Sequence, residues 1–352
     1  MTYQAIQTLP NTPLDIIGDV HGEFTALQAL LHHLGYDATG YHPEGRTLVF
    51  VGDLCDRGPD SPAVLAWFKQ AYDAGYALMV LGNHELNLLV GEPKDGSGWF
   101  FDERLAQETH YAPWQRMPDS EKADLIAWLS TMPLVLQRED VRIVHAAWLP
   151  EALAQLSITQ THGIITAYQQ WDSELKQRLH HADWYADYLA EEQQHFDALS
   201  DAHTPPDFMH AIARFEWERS RAHPIRALTS GTEKIVDKPF YAGGRWRFTG
   251  RCRWWEDYQD EVAVVVGHYW RHWYPEDAND PLRDTFLFHG ANNAWLGAKR
   301  NVFCIDYSVG ARWRDRQAQV AVAPEHSRFR LAALRWTEKT LVFDDGSVAE
   351  TQ

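Results

Sequence analysis

Three short stretches near the N-terminus concentrate the residue types that bind cations and move protons: Gly18 to Gly22 (GDVHG), Gly52 to Pro59 (GDLCDRGP) and Gly82 to Glu85 (GNHE). Each follows a short apolar run, Leu14 to Ile17, Leu48 to Val51 and Leu78 to Leu81, bounded by turn residues. Such runs predict buried parallel strands. Each loop then lies at the carboxyl end of a strand, where ligands bind in open α/β sheets. A glycine just before Asp19, Asp53 and Asn83 permits a sharp turn into a shared crevice. That crevice gathers Asp19, His21, Asp53, Asp56, Arg57, Asn83 and His84. Carboxylates at short range push one another's pKa upward unless positive charge sits among them. Two divalent cations remove that repulsion, and carboxylate, imidazole and amide donors suit Mn, Fe or Zn better than a soft thiolate metal.

The elements that must hold these loops are legible in the spacing. Phe24, Leu27, Leu30, Leu31 and Leu34 recur at helical intervals, which predicts an amphipathic helix over 23–34. Ser61 followed by Pro62 reads as an N-cap opening a helix that runs to about Ala74. Another helix is expected from Glu85, and one over 119–130 capped by Asp119 or Ser120. Between them, Gly96, Gly98, Trp99, Phe100 and Phe101 suggest a loop that covers the core. Two β runs, Leu134 to Gln137 and Val141 to Val144, follow, and the second delivers His145. Residues 150–260 carry Leu175, Leu179, Leu189, Leu199 and Ile212 at helical spacing among acidic and Gln-rich stretches. They are expected to form a largely helical insertion, serving either as a cover that selects substrates or as a packed accessory unit or oligomer contact. Its histidines, among them His180, His195 and His210, show no ligand spacing. The run Glu261 to Val266 ends in Gly267, His268, Tyr269 and Trp270, and the tail reads as strands over Val302–Asp306, Gln317–Val322, Phe329–Trp336 and Leu341–Phe343 that complete a second sheet.

Composition narrows the class. A chain of 352 residues with 45% hydrophobic content fills a sizeable core. Its net charge of -17 argues against general nucleic-acid binding, which rests on phosphate neutralisation by Lys and Arg. Phosphate must then be attracted locally. Met1 to Pro13 lacks a basic start and an apolar h-region, and no run approaches the roughly 20 apolar residues that span a bilayer. Cys55, Cys252 and Cys304 are scattered and odd in number, unlike a disulfide framework. A cytoplasmic protein without membrane association is expected, with Cys55 a small packing residue rather than a nucleophile.

In order, the three loops resemble the GDxHG, GDxxDRG and GNHE blocks of the calcineurin-like metallophosphoesterases, and their DRG and HE endings resemble the bacterial-type serine/threonine phosphoprotein-phosphatase branch. The resemblance covers the chain except much of the insertion, and implies one domain over 1–352 built as a four-layer α/β/β/α sandwich. Val144, His145 and Ala146 match a VHAG-like stretch with alanine for glycine. Gly267 and His268 match the closing GH block, and Trp270 stands where some relatives have a second histidine. The resemblance implies two divalent metal ions, Mn²⁺ foremost with Fe or Zn as alternatives. Asp19 and His21 would hold one ion and Asn83, His145 and His268 the other, with Asp53 bridging. A hydroxide between the ions would attack phosphorus. Arg57, with Asn83, would grip the phosphate, and His84, oriented by Asp56, would protonate the leaving oxygen. The family's second phosphate arginine falls to Arg253 or Arg251 of the basic, aromatic stretch 245–255, the plain alternative being pairing with Glu256 and Asp257. NVFCIDYSVG departs from the IDTG of bacterial relatives, so Asp306 is assigned no role. The implied activity is hydrolysis of phosphomonoesters, on a phosphorylated small molecule or on a phosphoprotein. Dinucleoside-polyphosphate hydrolysis and 2′,3′-cyclic phosphodiester hydrolysis are alternatives, and an inactive binding protein on the same fold is the alternative of another class.

Overall fold

The computed structural model describes residues 3–156, 159–242, 245–273, 287–288, 290–318 and 327–352. Two sheets form its centre. The first runs in the order Val348–Glu350, Thr340–Phe343, Ala332–Trp336, Leu14–Ile17, Thr47–Phe50, Ala77–Met79. Its last three strands are parallel, and Ala332–Trp336 is antiparallel to Leu14–Ile17. The second runs Ile6–Thr8, Val135–Gln137, Val141–Val144, Ala263–Val266, Val302–Cys304, again with its last three strands parallel.

Side chains alternate across each strand, and this alternation makes the layers. Ile16, Val49 and Val51 share a core with Ile143, Val265 and Phe303 of the facing sheet. Ile17, Leu48 and Phe50 turn the other way, to Leu27 and Leu30 of the helix Phe24–Leu34 and Phe68 of the helix Ser61–Asp73. Both faces of these strands are therefore buried, each Val, Leu or Ile contributing about 2 kcal/mol. The α/β architecture inferred from the sequence is the one observed; Leu14–Ile17, Thr47–Phe50 and Ala77–Met79 run parallel in one sheet and Val141–Val144 and Ala263–Val266 in the other, while Ile6–Thr8 and Val135–Gln137 run opposite to the latter.

Several local expectations are corrected. Only the first strand of the tail completes the second sheet. Val302–Cys304 joins the five-stranded sheet, whereas the hairpin beyond residue 331 extends the first one. Register is the reason: Ala333 pairs with Ile17 and Leu334 with Ile16, so each enters the core its partner already occupies. Of the Gln317–Val322 strand, Gln317 ends the helix Trp313–Gln317, and 319–322 lie outside the described residues. Ser61 is not the cap of its helix. Asp60 accepts the Ala63 N–H, and the Ser61 hydroxyl accepts the Asp56 N–H at 2.9 Å. The helix Asp119–Leu129 starts without a side-chain cap, and the third motif's helix begins at Asn83, two residues before Glu85.

The described residues of the 150–260 stretch carry a series of helices up to Ser230, with Thr159–His180, Tyr185–Gln194 and His210–Arg221 the longest. It then becomes a hairpin, Glu233–Ala242 against Arg245–Arg251, so it is less uniformly helical than its spacing suggested. Trp246 and Phe248 alternate with Arg245 and Arg247 there, and bury themselves with Leu199, Met209 and Ile212 in a small core of their own. Among the described residues no helix is long and apolar enough to cross a membrane.

Candidate active site

The three motif loops touch backbone to backbone. Gly52 holds φ at 100°, and a Cβ there would lie 2.5 Å from the Gly82 nitrogen, so only glycine permits the approach. His21, Asp53, Asp56, Arg57 and His268 also hold left-handed backbone, with φ of 47°, 54°, 75°, 67° and 71°. Each such residue costs on the order of 1–3 kcal/mol and persists only where its surroundings over-determine it. Glu85 supplies that determination for the second loop. Its fully buried carboxylate accepts the N–H groups of Asp53 at 2.9 Å, Leu54 at 2.7 Å and Gly82 at 3.0 Å, tying the second loop to the third.

Residues from five strand ends converge on Asp53. Its Oδ2 lies 3.3 Å from His145 Nε2, 3.8 Å from His21 Nε2 and 3.9 Å from His84 Nε2. Asn83 Oδ1 lies 2.9 Å from His268 Nδ1 and 3.3 Å from His145 Nε2. Asp19 stands 4.0 Å from His21 and accepts the His268 N–H at 3.0 Å. Two overlapping groups, His21 with Asp53 and His84, and Asp53 with His145 and His268, each bring donor atoms within 4.8 Å of one another. Asp53 is common to both. The first group contains His84 where the sequence suggested Asp19.

The chemistry of these donors fits a pair of divalent cations. His145 is 2.7 Å from the Val51 carbonyl through Nδ1 and His21 is 2.9 Å from the Cys55 carbonyl through Nδ1, contacts that place a proton on Nδ1 and turn the Nε2 lone pair inward. Burial alone would lower the His145 imidazole, yet the charge and hydrogen bond of Asp53, then the charge of Asp19, raise it to about 10. Burial, then the charges of Asp306 and Asp53, push the Asp19 carboxyl well above its ordinary range. Three buried carboxylates thus raise the affinity for positive charge between them, the electrostatic setting that suits cations.

Beside this centre, His84 Nδ1 meets Asp56 Oδ2 at 2.5 Å, and Asp56 Oδ1 accepts the Trp99 indole N–H at 2.5 Å. Arg57 reaches His21 Nε2 through Nη1 at 3.0 Å, and its guanidinium lies 4.8 Å from the Trp270 ring centroid. The loop around Gly96 braces both: the Gly96 carbonyl accepts the Arg57 N–H, while Gly96 and Gly98 donate to the buried Glu108 carboxylate. Of the two arginines weighed as a further phosphate group, Arg253 pairs with Glu256 at 3.4 Å. Arg251 instead lies over the Tyr269 ring at 5.7 Å, and its charge bears on His268 and Arg57.

Sequence reasoning missed three supporting residues. Trp99 read only as a cover. Glu85 was read as the start of a helix. Asp306, left without a role, accepts the Trp270 N–H at 2.7 Å and the Ser308 N–H at 2.8 Å and so holds the loop that carries His268. An acidic residue two positions past the strand Val302–Cys304, beside the strand that delivers His268, was the available signal. Cys55 is a packing residue: its thiol points to Glu85 at 3.5 Å, and burial pushes its pKa well up.

Comparison with known proteins agrees with this geometry. Residues 12–268 match the family model of calcineurin-like phosphoesterases. A 73-residue stretch is 49% identical to the asymmetrical bis(5′-nucleosyl)-tetraphosphatase PrpE of Bacillus velezensis, covering 20% of this chain and 29% of that protein. The symmetrical bis(5′-nucleosyl)-tetraphosphatase of Aromatoleum aromaticum is 35% identical over 134 residues, 38% of this chain and 44% of its own. The chain thus spans less than half the length of these curated relatives. A cold-active protein-tyrosine phosphatase of a psychrophilic Shewanella species aligns with a TM-score of 0.49 and 16% identity, covering 100% of this chain and 83% of that one. With the family model matched from the first motif strand through His268, the chain belongs to the calcineurin-like phosphoesterase family.

Proposed function

We propose that this chain is a metal-dependent phosphoric ester hydrolase that acts on phosphomonoesters. The observation that carries the reading is Asp53, shared by two donor groups with His84 and Arg57 at one flank. In this reading Asp53 lies between two ions, Asp19 and His21 hold one, and Asn83, His145 and His268 hold the other. Manganese matches this mixed oxygen and nitrogen set, with iron or zinc next. When bound, two such cations lower the pKa of water and neutralise charge gathering on phosphoryl oxygens.

The chain's own groups do the rest. Arg57, stacked on Trp270, offers the phosphate a planar fork that lysine could not reproduce. Arg251 makes no side-chain hydrogen bond or ion pair among the described residues, which favours it over Arg253 as the second phosphate contact. His84, its Nδ1 on Asp56, presents Nε2 to give a proton to the leaving oxygen. With the Cys55 thiol turned to Glu85, the nucleophile is water and not a side chain of these loops.

His84→Ala tests the acid. Turnover of phenyl phosphate, a poor leaving group, falls about 10²- to 10⁴-fold, while 2,4-dinitrophenyl phosphate suffers little and bound metal is unchanged. Loss of metal in that variant would make His84 a ligand instead. A second reading, hydrolysis of dinucleoside polyphosphates, is favoured by the names of the relatives. Turnover of a dinucleoside tetraphosphate, a phosphopeptide and a cyclic nucleotide, measured side by side, decides between the two.

A further inference from the structure

A cleft of about 560 Å³ opens from Asn83, His84 and Arg57 and runs outward beneath the 150–260 segment. Its walls carry six cationic side chains, Arg57, Lys94, Arg104, Arg219, Arg226 and Arg247, against two acids, Glu92 and Asp95. That is a local excess of positive charge in a chain of net charge -17. Only Arg57 belongs to the phosphoryl site. Arg219, Arg226 and Arg247 come from three elements of the segment: the helix His210–Arg221, the helix Pro224–Ser230 and the strand Arg245–Arg251.

These arginines are placed rather than merely present. Arg226 donates through Nε to the Tyr168 hydroxyl at 2.5 Å, lies over that ring, and touches Glu92 and Asp172 only at 3.3 Å through Nη2. Arg247 is steadied by the Ala242 carbonyl and stands 3.9 Å from Glu216. Arg219 makes no side-chain hydrogen bond or ion pair among the described residues, yet its charge is felt at Glu92. Guanidinium donors remain on all three, and a single phosphoryl group held at Arg57 does not reach a cleft of this size.

We propose that this cleft is a second anion subsite, supplied by the 150–260 segment, for a phosphate group that the substrate carries on its leaving-group side. The inference rests on the phosphoesterase reading above for the position of the scissile group. Several converging guanidinium forks match an acceptor with three oxygens and a double charge better than a carboxylate, and a cleft lined by one sign of charge raises the local concentration of such a ligand. The segment then sets specificity through charge.

The test uses full-length, Mn²⁺-loaded protein and the double variant Arg219→Ala/Arg247→Ala. Phenyl phosphate carries one phosphate, inorganic tripolyphosphate a contiguous chain and hexane-1,6-diol bisphosphate a spaced second phosphate. The expected result is a KM at least tenfold lower for one of the latter two than for phenyl phosphate. In the variant that advantage is lost, with kcat and the phenyl phosphate parameters unchanged. Which of the two gains tells a polyphosphate chain from a spaced bisphosphate. Equal KM values for all three in wild type, an equal loss on all three in the variant, or preference for an acidic monophosphopeptide over both would overturn the proposal. Titration calorimetry of tripolyphosphate against wild type and variant keeps the two readings apart: an enzyme inactive on phenyl phosphate refutes the hydrolase reading, whereas arginine-independent tripolyphosphate binding refutes the subsite.

Discussion

Asp56 uses its two carboxylate oxygens on two different side chains, the His84 imidazole and the Trp99 indole. Trp99 is 1% exposed, so this N–H has no water to fall back on, and the pair holds the carboxylate in one orientation. Trp99→Phe keeps the ring and removes the donor. Hydrolysis of phenyl phosphate is expected to fall about tenfold, the scale of one lost hydrogen bond, with 2,4-dinitrophenyl phosphate and metal content unaffected. An equal fall on both esters would show that the indole only packs. The sequence displayed Trp99 as one of three adjacent aromatics, and nothing local identified its partner 43 residues away. The same holds for Asp19, whose bond to the His268 N–H joins residues 249 apart. Ligand types were legible because a strand, a glycine and an acid follow one another in sequence; partners made by folding were not.

At the scale of elements, loops depend on the groups that tie them. Glu85→Gln replaces an acceptor of three backbone N–H groups by an amide that can face only part of them. Stability is expected to drop by about 2 kcal/mol, the cost of a buried unpaired donor, together with weaker metal binding, both measurable by denaturation with and without Mn²⁺. The helix Pro224–Ser230 depends on His223, whose Nδ1 accepts the Arg226 N–H while Nε2–H donates to the Tyr168 carbonyl. The first contact requires the neutral ring, because protonation of Nδ1 removes the acceptor. Burial, then the Arg226 charge, push its pKa down to about 4. The unfolded chain therefore binds more protons than the native state between about 4 and 6.5, so this stability is complete above about 6.5 and is lost as pH falls through that window, up to about 3 kcal/mol. His223→Asn keeps a capping acceptor without the titration. The difference in urea midpoint between wild type and variant should shrink or reverse from pH 7.5 to 4.5, and a constant difference would contradict the assignment. The hairpin after Ser230 was not legible as strands, because its alternation is buried against the segment's own helices and not against a sheet.

For the whole molecule, the two-sheet core sets the geometry, and residues of the 150–260 segment line the cleft beside His84 and Arg57. The apolar strand patterns showed strands buried on both faces, and the layering itself was implied by the family resemblance. The placement of the last hairpin on the first sheet was legible in neither, because pairing with Leu14–Ile17 closes a separation of more than 300 residues. The chain is acidic overall, whereas the cleft beside His84 and Arg57 is lined by six cationic side chains and two acids. The central claim is that Asp53 lies at the middle of a two-metal phosphoesterase site. The most direct test removes metal with a chelator from wild type and Asp53→Asn, adds back Mn²⁺, and follows p-nitrophenyl phosphate beside its bis ester. Hydrolysis that returns in wild type, favours the monoester and stays absent in the variant is the expected result; equal activity of the two proteins, or hydrolysis that survives complete chelation, would contradict it.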